Sequence, residues 1–358
     1  MKNLLGLPLN ELNKWCIENG QRSFRSKQLL HWIHQKNVSN FTKMTNLSRD
    51  FVNFLNREAE ILLPKVEKSL VSKDGSKKWL FNLGEGNIIE TVLIPEKNRN
   101  TLCISSQAGC AVDCSFCSTG HQGFSRNLTV DEIIGQLWVV QKEIKTKISN
   151  VVMMGMGEPL LNFDNLVKAL DLMTNDNSYG ISRRKITVST SGIVPMIERL
   201  ANNNPVSLAV SLHAGNDKLR DVLVPINRKY PVDSLLDACF IYAQKSPKNY
   251  ITFEITMLRG VNDNVFNAEE IIEKILKKNI KCKFNLIPFN PFPNSKYSPS
   301  FPDVIQKYSC FIQNAGFTVT SRRTRGDDIS AACGQLAGDI VDRTNINKRK
   351  AYFIRGQS

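Results

Sequence analysis

Residues 101–106, TLCISS, and residues 128–155, LTVDEIIGQLWVVQKEIKTKISNVVMMG, decide the fold. Each contains a short apolar run typical of a buried strand, and the second places a helix-period apolar pattern before its run. The strand pattern recurs four more times along the chain, in KITVSTSG (185–192), VSLAVSLHAG (206–215), YITFEITMLRG (250–260) and KCKFNLIPF (281–289). Strands alternating with helices predict an α/β fold in which six parallel strands form a sheet or barrel with right-handed crossovers.

The two ends of the chain do not follow this rhythm. Residues 7–60 have helix-period apolar spacing, which predicts a small helical cluster. Residues 65–95 contain β-rich runs separated by Asp-Gly and Gly-Glu-Gly turns, which predict an antiparallel meander. We therefore divide the chain into an accessory N-terminal domain, a barrel core and a C-terminal extension, at residues 1–95, 96–320 and 321–358.

The composition is that of a globular protein, with 358 residues, of which 42% are hydrophobic and 22% charged. No apolar run reaches the length of a transmembrane helix, and the polar start of the chain predicts a cytoplasmic protein. The net charge of +14 favours a polyanionic partner such as nucleic acid, although a solvated basic surface would give the same charge. Nine cysteines, an odd number, favour metal or thiol chemistry over a disulfide framework.

A CxxxCxxC loop, Cys110-Ala-Val-Asp-Cys114-Ser-Phe-Cys117, follows the first predicted barrel strand. Three thiolates so close together can bind three irons of a cubane iron–sulfur cluster and leave the fourth iron open to a ligand. The alternative is a closed zinc site in which His121 supplies the fourth ligand. The loop alone does not decide between these two sites.

Polar residues follow several predicted strands at their carboxyl ends, the edge at which barrel enzymes bind their substrates. Together with the adjacent Gly157 and Leu212, they are Glu158, Ser189, Ser211, His213 and Asn290. A single serine or histidine at a strand end is usually structural. A shared edge beside the cysteine loop, however, predicts a pocket for a small polar ligand next to a metal. This favours the iron–sulfur cluster, because a zinc knuckle needs no such pocket.

Six ordered motifs resemble the radical S-adenosylmethionine (SAM) superfamily and, within it, the RlmN-type adenosine methyltransferases of RNA. The superfamily has an aromatic residue, here Phe116, before the third cysteine, and a Gly-Glu-Pro element farther along. The motifs are CISSQAGCAVDCSFCSTG (103–120), MGMGEPLLN (154–162), VSTSG (188–192), AVSLHAG (209–215), IPFNPFPN (287–294) and RRTRGDDISAACGQLAGD (322–339). The resemblance implies a partial (βα)6 radical SAM barrel with a C-terminal extension, and the N-terminal helices and hairpins fit it less distinctively.

The resemblance also implies the cofactors. A [4Fe–4S] cluster would be bound by Cys110, Cys114 and Cys117, with SAM on the open iron. Two SAM molecules would be used in each turnover, one as the methyl donor and one as the radical source. The family's SAM contacts carry over to the seven strand-end residues named above.

The implied reaction is methylation of carbon 2 of adenine through a covalent protein–RNA intermediate. This ring carbon has no usable lone pair, so it cannot displace the methyl group of SAM directly. The family's roles carry over to Cys333 as the methyl-accepting thiol and to Glu90 as the base that removes the ring hydrogen. Cys103 would resolve the adduct through a transient disulfide with Cys333. The remaining cysteines are predicted to lie in the core: Cys16, Cys239, Cys282 and Cys310.

The implied substrates are an adenosine of 23S ribosomal RNA and the adenosine 3′ of the anticodon in a subset of tRNAs. The implied electron donor is a flavodoxin or ferredoxin system, and we expect a monomer without membrane contact. Five basic residues are candidate phosphate contacts: Lys77, Lys78, Arg322, Arg323 and Arg325. Two alternatives remain, the antibiotic-resistance methyltransferases that act on carbon 8 and a non-enzymatic zinc or iron–sulfur RNA-binding protein.

Overall fold

The computed structural model describes residues 1–322 and 324–338. The chain begins with the predicted helical cluster, which contains α1 (Leu9–Glu18), α2 (Phe24–Leu30), a π-helical turn (His31–Gln35), a 3-10 turn (Phe41–Lys43) and α3 (Arg49–Glu58). Two short parallel strands, β1 (Lys2–Asn3) and β2 (Ala59–Glu60), pair beside the helices. The apolar positions that set the helical period are buried and form the core of the cluster, among them Leu12, Leu29, Ile33, Phe51 and Leu55.

The predicted meander follows the helical cluster. Its strands are β3 (Lys65–Val71), β4 (Lys77–Asn82) and β5 (Ile88–Glu96), and β5 continues into β6 (Arg99–Cys103). All four pair antiparallel with their neighbours in sequence. Because β6 is also the first predicted barrel strand, the meander and the barrel share one sheet. The domain boundary at residue 95 stays a prediction, and it falls inside this sheet.

From β6 onward the chain alternates strands and helices. In chain order the elements are β7 (Gln107–Gly109), α4 (Ser118–Gln122), β8 (Phe124–Asn127), α5 (Val130–Ile144), β9 (Asn150–Met153), α6 (Phe163–Thr174), β10 (Ile186–Thr190), α7 (Val194–Asn203), β11 (Ser207–Ser211), α8 (Asp217–Leu223), α9 (Val232–Lys245), β12 (Ile251–Met257), α10 (Val265–Lys277), β13 (Cys282–Pro288), α11 (Pro302–Asn314) and β14 (Thr318–Ser321).

The large sheet has ten strands in the order β14-β13-β12-β11-β10-β9-β6-β5-β4-β3. Strand β6 and strands β9 to β14 are parallel, so the six predicted barrel strands are confirmed. A seventh parallel strand, β14, was not predicted, because its four residues, TVTS, contain only one strongly apolar side chain. Within the described ranges, β3 and β14 are the two edges and do not pair with each other, so the barrel is partial.

Helix α5 fixes the place from which the cysteine loop departs. The buried side-chain oxygen of Gln136 accepts hydrogen bonds from the Thr91 hydroxyl at 2.6 Å and from the Ser105 backbone N–H at 2.8 Å. Its Nε2 atom donates to the Ser105 carbonyl at 3.0 Å. On the same helix, Trp138 Nε1 donates to the Ile33 carbonyl at 2.7 Å. The helix therefore links the helical cluster, the meander and the turn after β6.

Residues 324–338, here called the C-terminal segment, connect the meander with the cysteine loop. Near one end, the Gly326 N–H donates to Asp74 Oδ2 at 3.0 Å. The Asp328 carboxylate accepts a 3.1 Å bond from the Lys73 N–H. Near the other end, the Ser118 N–H donates to the Gly334 carbonyl at 2.8 Å. The segment is thus held both by the β3–β4 turn and by α4, the helix that follows the cysteine loop.

No helix in the described ranges is long and apolar enough to cross a bilayer. Cys16 and Cys239 are buried, as predicted, and Cys282 is half-buried. Cys310 on α11 is exposed, so the prediction of a core position was wrong for that residue.

Candidate active site

The three cysteines of the CxxxCxxC loop line one cavity of about 140 Å³. The ends of the loop are joined by the antiparallel pair β7 and β8, and the Cys110 N–H donates to the Gly123 carbonyl at 2.7 Å. Within the loop, Asp113 has a left-handed φ of 57°, and the Cys117 N–H donates to the Cys114 carbonyl at 3.1 Å. A compact loop on a short hairpin therefore presents three thiols to the same space.

Burial raises the pKa of all three thiols, because a thiolate loses its hydration there. The neighbouring thiols add to this effect, so that the pKa of Cys110 rises well above its ordinary value and that of Cys114 rises to about 12. The pKa of Cys117 is raised mainly by burial. Such a group of sulfurs ionises readily only beside a cation, and iron would supply that charge. The donor set therefore fits three irons of a [4Fe–4S] cluster.

The Gly-Glu-Pro element after β9 forms another wall of the cavity. Gly157 has φ +97°, and a Cβ at this position would lie 2.4 Å from the Gln107 Cβ, so that only glycine fits. Glu158 is 2% exposed, and its two oxygens accept from the N–H groups of Leu160 at 3.0 Å and Ser191 at 2.6 Å. Burial raises the pKa of Glu158, and these N–H groups oppose the rise. The carboxylate thereby joins the ends of β9 and β10.

His213, which follows β11, presents a buried hydrogen-bond donor to the cavity. Its Nδ1 atom accepts from the Thr256 N–H at 3.0 Å, and its ring packs against that of Phe116 at a centroid distance of 4.4 Å. Burial lowers the pKa of His213 to about 3, so the neutral ring carries its proton on Nε2. Among the described residues, this buried Nε2 has no hydrogen-bond partner. It therefore fits an oxygen atom of a bound ligand, such as a carboxylate.

The structure brings together five of the seven residues predicted to bind SAM. Gly157, Glu158, Ser189, Ser211 and His213 line the cavity of the cysteine loop. Leu212 has a fully buried side chain, and its N–H donates to the Glu254 carbonyl at 3.1 Å. Asn290 lines a neighbouring cavity instead, and its Nδ2 donates to the Cys333 carbonyl at 3.0 Å. The assignment of these residues to SAM stays a prediction.

Arg220 on α8 supports the site and was not predicted. Its fully buried guanidinium donates to the carbonyls of Ser191 at 2.7 Å, Ser211 at 2.9 Å and Leu212 at 3.0 Å. It therefore holds the ends of β10 and β11 together. Burial lowers the pKa of Arg220 to about 10, which leaves the group protonated at neutral pH. Its surroundings in the sequence, DKLRDVL, are typical of an exposed helix and contain no signal of a buried cation.

Cys333, in the C-terminal segment, lines the same cavity as the cysteine loop. Its sulfur accepts a 2.8 Å hydrogen bond from Arg322 Nη1, and Arg322 Nη2 donates to Glu254 Oε1 at 3.0 Å. Asn285 holds the same Glu254 oxygen at 2.9 Å. Burial lowers the pKa of Arg322, but Cys333 and Glu254 outweigh burial, so the pKa is raised. The prediction that Arg322 contacts phosphate was wrong for this structure, because its guanidinium is bound to the thiol.

Cys103 and Glu90 lie on the neighbouring strands β6 and β5, and neither residue lines the cavity of the cysteine loop. Burial, and to a smaller extent the Cys333 thiol, raise the pKa of Cys103 to about 12. All nine cysteines are free, so the structure contains no Cys103–Cys333 disulfide. Glu90 forms a buried ion pair with Lys78 at 3.0 Å, and its other oxygen accepts from the Ala337 N–H at 3.3 Å. The roles assigned to Cys103, Cys333 and Glu90 stay predictions.

His121, the fourth ligand of the zinc alternative, contacts a backbone carbonyl instead of pointing to the three thiols. Its Nε2 is 3.0 Å from the Ser115 carbonyl oxygen, and its ring packs against Phe292. In the part of the chain that the structure describes, no three His, Cys, Asp or Glu side chains are placed to share one metal ion. A four-iron cluster does not need such a group, because each thiolate binds a different iron. The geometry favours the cluster over the zinc alternative.

The other candidate phosphate contacts differ in exposure. Lys78 is 5% exposed and paired with Glu90, so its assignment as a phosphate contact was wrong. Lys77 forms an ion pair with Glu143 and lies over the Trp79 ring. The Arg325 side chain is 37% exposed. Arg323 lies outside the described residues.

The partial barrel, the three-thiol loop and the polar strand ends define a radical SAM enzyme. Residues 104–273 match the family model described as the radical SAM superfamily, and residues 2–61 match the ribosomal RNA large subunit methyltransferase N-terminal domain. The chain belongs to the RlmN-type radical SAM methyltransferases. This class implies a [4Fe–4S] cluster and SAM as cofactors.

Two solved structures are similar to the chain. One is a radical SAM methyltransferase from Sphaerobacter thermophilus, with 38% sequence identity and a TM-score of 0.87, and the match covers 94% of this chain and 99% of that one. The other is a domain of pyruvate-formate lyase-activating enzyme from Bacteroides vulgatus, with 18% identity and a TM-score of 0.39. That match covers 49% of this chain and 99% of the domain, and it is too distant to carry an argument.

Proposed function

We propose that the protein methylates carbon 2 of an adenosine in 23S ribosomal RNA and of the adenosine 3′ of the anticodon in a subset of tRNAs. The observation that carries the proposal is the place of Cys333, whose thiol lines the same cavity as Cys110, Cys114 and Cys117. The match of residues 2–61 to a domain of ribosomal RNA methyltransferases supports RNA as the substrate.

The chain's own groups prepare Cys333 to accept a methyl group. When bound, the cluster and two SAM molecules would supply the methyl group, the electron and a 5′-deoxyadenosyl radical. The guanidinium of Arg322 donates to the Cys333 sulfur and thereby orients it, and a cysteine is a competent nucleophile once it is ionised. Asn290 holds the Cys333 backbone carbonyl, so that both the sulfur and the main chain are oriented toward the cavity.

Glu90 and Cys103 would complete the reaction. As the base, Glu90 takes the hydrogen of the modified ring carbon as a proton. Because its carboxylate is bound to Lys78 and to the Ala337 N–H, that step requires the C-terminal segment to move. The unpaired electron left by the radical addition would return to the cluster. Cys103 then attacks the Cys333 sulfur, and the bond between this sulfur and the methylene carbon breaks. The carbon takes up a proton, so that the methylated RNA is released and a disulfide remains. The raised pKa of Cys103 means that this thiol also needs a base in order to react.

The surroundings of the reaction are proposed on the same basis. A flavodoxin or ferredoxin system would donate the electron, and one chain in the cytoplasm would act on each RNA without contact with a membrane. A further thiol donor must reduce the Cys103–Cys333 disulfide before the next turnover, because the enzyme is otherwise left oxidised.

The decisive experiment is analysis of nucleosides after reaction. Anaerobic enzyme with its cluster, SAM and a reductant is incubated separately with ribosomal RNA and with tRNA, and the digested RNA is compared with 2-methyladenosine and 8-methyladenosine standards. We expect 2-methyladenosine in both RNAs. The 8-methyl isomer would show the antibiotic-resistance activity instead. If neither nucleoside forms, the proposal fails.

Two variants separate the steps. Cys333→Ala should abolish both methylation and covalent trapping of RNA, because no thiol accepts the methyl group. Cys103→Ala should trap RNA covalently but release no product. Cys310→Ala is the matched control, because Cys310 is an exposed cysteine on α11. Full turnover by Cys333→Ala or Cys103→Ala would contradict the role assigned to that residue.

A further inference from the structure

A second cavity, of about 570 Å³, lies beside the first along the strands of the sheet. Side chains of β6 and of β9 to β14 line it, together with the backbone around Cys333. Cys333, Arg322, Glu254, Met154 and Ile287 line both cavities. Cys333 therefore lies between the two cavities, the first of which is lined by the cysteine loop.

The second cavity is strongly basic. Five cationic side chains line it: Arg99, Lys248, Lys283, Arg322 and Arg325. Two carboxylates among the described residues do so, Glu96 and Glu254, and each is already paired with an arginine. Arg99 binds Glu96 at 2.6 Å, and Arg322 binds Glu254 at 3.0 Å. Among the described residues the lining therefore has an excess of three positive charges, one of which, Arg325, is paired with Asp74 outside the lining at 3.9 Å.

Lys248 and Lys283 supply two of these charges from different elements. Lys248 lies between α9 and β12, and Lys283 lies on β13. Both are half-buried, and no ion pair found in the described ranges involves either of them. Burial lowers the pKa of both amines, and the Lys283 ammonium lowers that of Lys248 further. The pKa of Lys283 is also lowered by Arg322, an effect that Glu254 opposes. Two like charges held this way are unfavourable unless an anion lies between them.

Nucleotides fit this space by size and by charge. Binding sites for small ligands commonly measure about 300 to 1,000 Å³, and the cavity falls within that range. Thr101, Thr252 and Thr320 line it and offer hydroxyl groups to a ribose. A neutral ligand would leave the lysines without a counter-charge, whereas a phosphodiester would neutralise them.

We propose that this cavity binds the RNA backbone next to the target adenosine, with a phosphate at Lys248 and Lys283 and the base directed toward Cys333. This inference rests on the proposed function and deepens it, because it assigns the RNA to the face of Cys333 opposite the cysteine loop. Removing a base from its stack costs a few kcal/mol, and phosphate contacts beside the flipped nucleotide would offset part of that cost.

The test compares variants with the same change in net charge. Lys248→Gln/Lys283→Gln removes the two cavity lysines, and Lys277→Gln/Lys281→Gln removes two exposed lysines nearby that do not line the cavity. The affinity for a fluorescent RNA stem–loop with adenosine in its loop is measured by anisotropy, with the cluster in place, over a range of KCl concentrations. The yield of 5′-deoxyadenosine without RNA reports whether the SAM site of each variant is intact.

We expect the cavity variant to bind the stem–loop at least about tenfold more weakly, and its slope of log affinity against log salt to fall by roughly 1.4 to 1.8. The surface variant should retain the wild-type slope, and Lys248→Arg/Lys283→Arg should restore binding. Equal affinity of the cavity variant and the wild type would overturn the subsite. Equal losses of RNA affinity in the cavity variant and the surface variant would also overturn the subsite. Failure of the wild type to methylate any RNA would instead overturn the proposed function.

Discussion

Arg322 joins Cys333 to Glu254: one of its terminal nitrogens lies 2.8 Å from the Cys333 sulfur and the other 3.0 Å from Glu254 Oε1. The thiol is therefore held by a cation whose own position is fixed by a carboxylate. Because Cys333 lines both cavities, this contact sets the direction in which a group carried by its sulfur points.

Loss of this contact should slow methyl transfer to Cys333. In Arg322→Met the Cys333 sulfur loses a charged hydrogen-bond donor, and such bonds contribute about 1.5 to 3 kcal/mol. We expect S-methylation of Cys333 to slow by about tenfold or more. The rate is measured by mass spectrometry of the peptide that contains Cys333. Arg228→Met, which changes an exposed arginine, should keep the wild-type rate. Equal rates in the two variants would show that Arg322 does not act on the sulfur.

A methyl group at Gly157 should remove SAM binding. In Gly157→Ala the new Cβ would lie 2.4 Å from the Gln107 Cβ, in addition to the strain of a positive φ. Gly20→Ala is the control, because Gly20 also has a positive φ, +71°, but has open space around it. The loss of stability in this variant therefore measures the backbone strain alone, about 1 kcal/mol. We expect the free energy of unfolding in urea to fall by roughly 1 to 3 kcal/mol more in Gly157→Ala than in Gly20→Ala. Because this clash displaces a wall of the cavity, calorimetric titration of Gly157→Ala should detect no SAM binding. Binding as strong as that of the wild type would contradict the close contact between Gly157 and Gln107.

The guanidinium of Arg220 should be essential for cluster retention. Arg220→Leu leaves three strand-end carbonyls without their donor, and each buried unsatisfied group costs about 1 to 3 kcal/mol. We expect a loss of about 3 kcal/mol or more in stability, together with less iron per chain after anaerobic purification. Arg220→Lys keeps the charge but only some of the hydrogen bonds. Its stability and iron content should therefore lie between those of the wild type and those of Arg220→Leu. A stable, iron-replete Arg220→Leu protein would argue against this support.

Stability should fall below about pH 6.5 because of His34. Burial lowers the pKa of His34 to about 3, so the folded state resists a proton that the unfolded state accepts near its ordinary value of 6.5. Its contribution is thus complete above pH 6.5 and is lost as the pH falls toward 3. In His34→Phe, the change in unfolding free energy between pH 7.5 and 5.5 should shrink by roughly 1.4 kcal/mol. An unchanged difference in urea titrations would exclude His34 as the cause.

The parts of the site that could be predicted from the sequence are those set by local spacing. Three cysteines within one loop must lie close together, and parallel strands bring their carboxyl ends to one edge wherever they are in the chain. Hence Cys110, Glu158 and His213 were expected near each other, and the structure places them around one cavity.

The remaining features depend on which charged groups face each other after folding. Lys78 and Arg322 look like surface cations in the sequence, yet each is bound to a partner that only tertiary packing supplies, Glu90 and Cys333. The basic residues that line the second cavity come from separate elements whose local sequences contain no common signal. Charge counts indicated a polyanionic partner, but they could not indicate which lysines lack a counter-charge.

The open edge of the sheet has a mechanical consequence. The diameter of a closed barrel is fixed by the number and stagger of its strands. In the described ranges, β3 and β14 are not joined by backbone hydrogen bonds, so this barrel lacks that constraint at its open edge. The chain leaves β14 and reaches the β3–β4 turn through Gly326 and Asp328, so a handful of polar contacts spans the gap. The reactive sulfur lies in this connecting segment, so its displacement by a bulky folded substrate would break contacts of individual residues and leave the described strands paired.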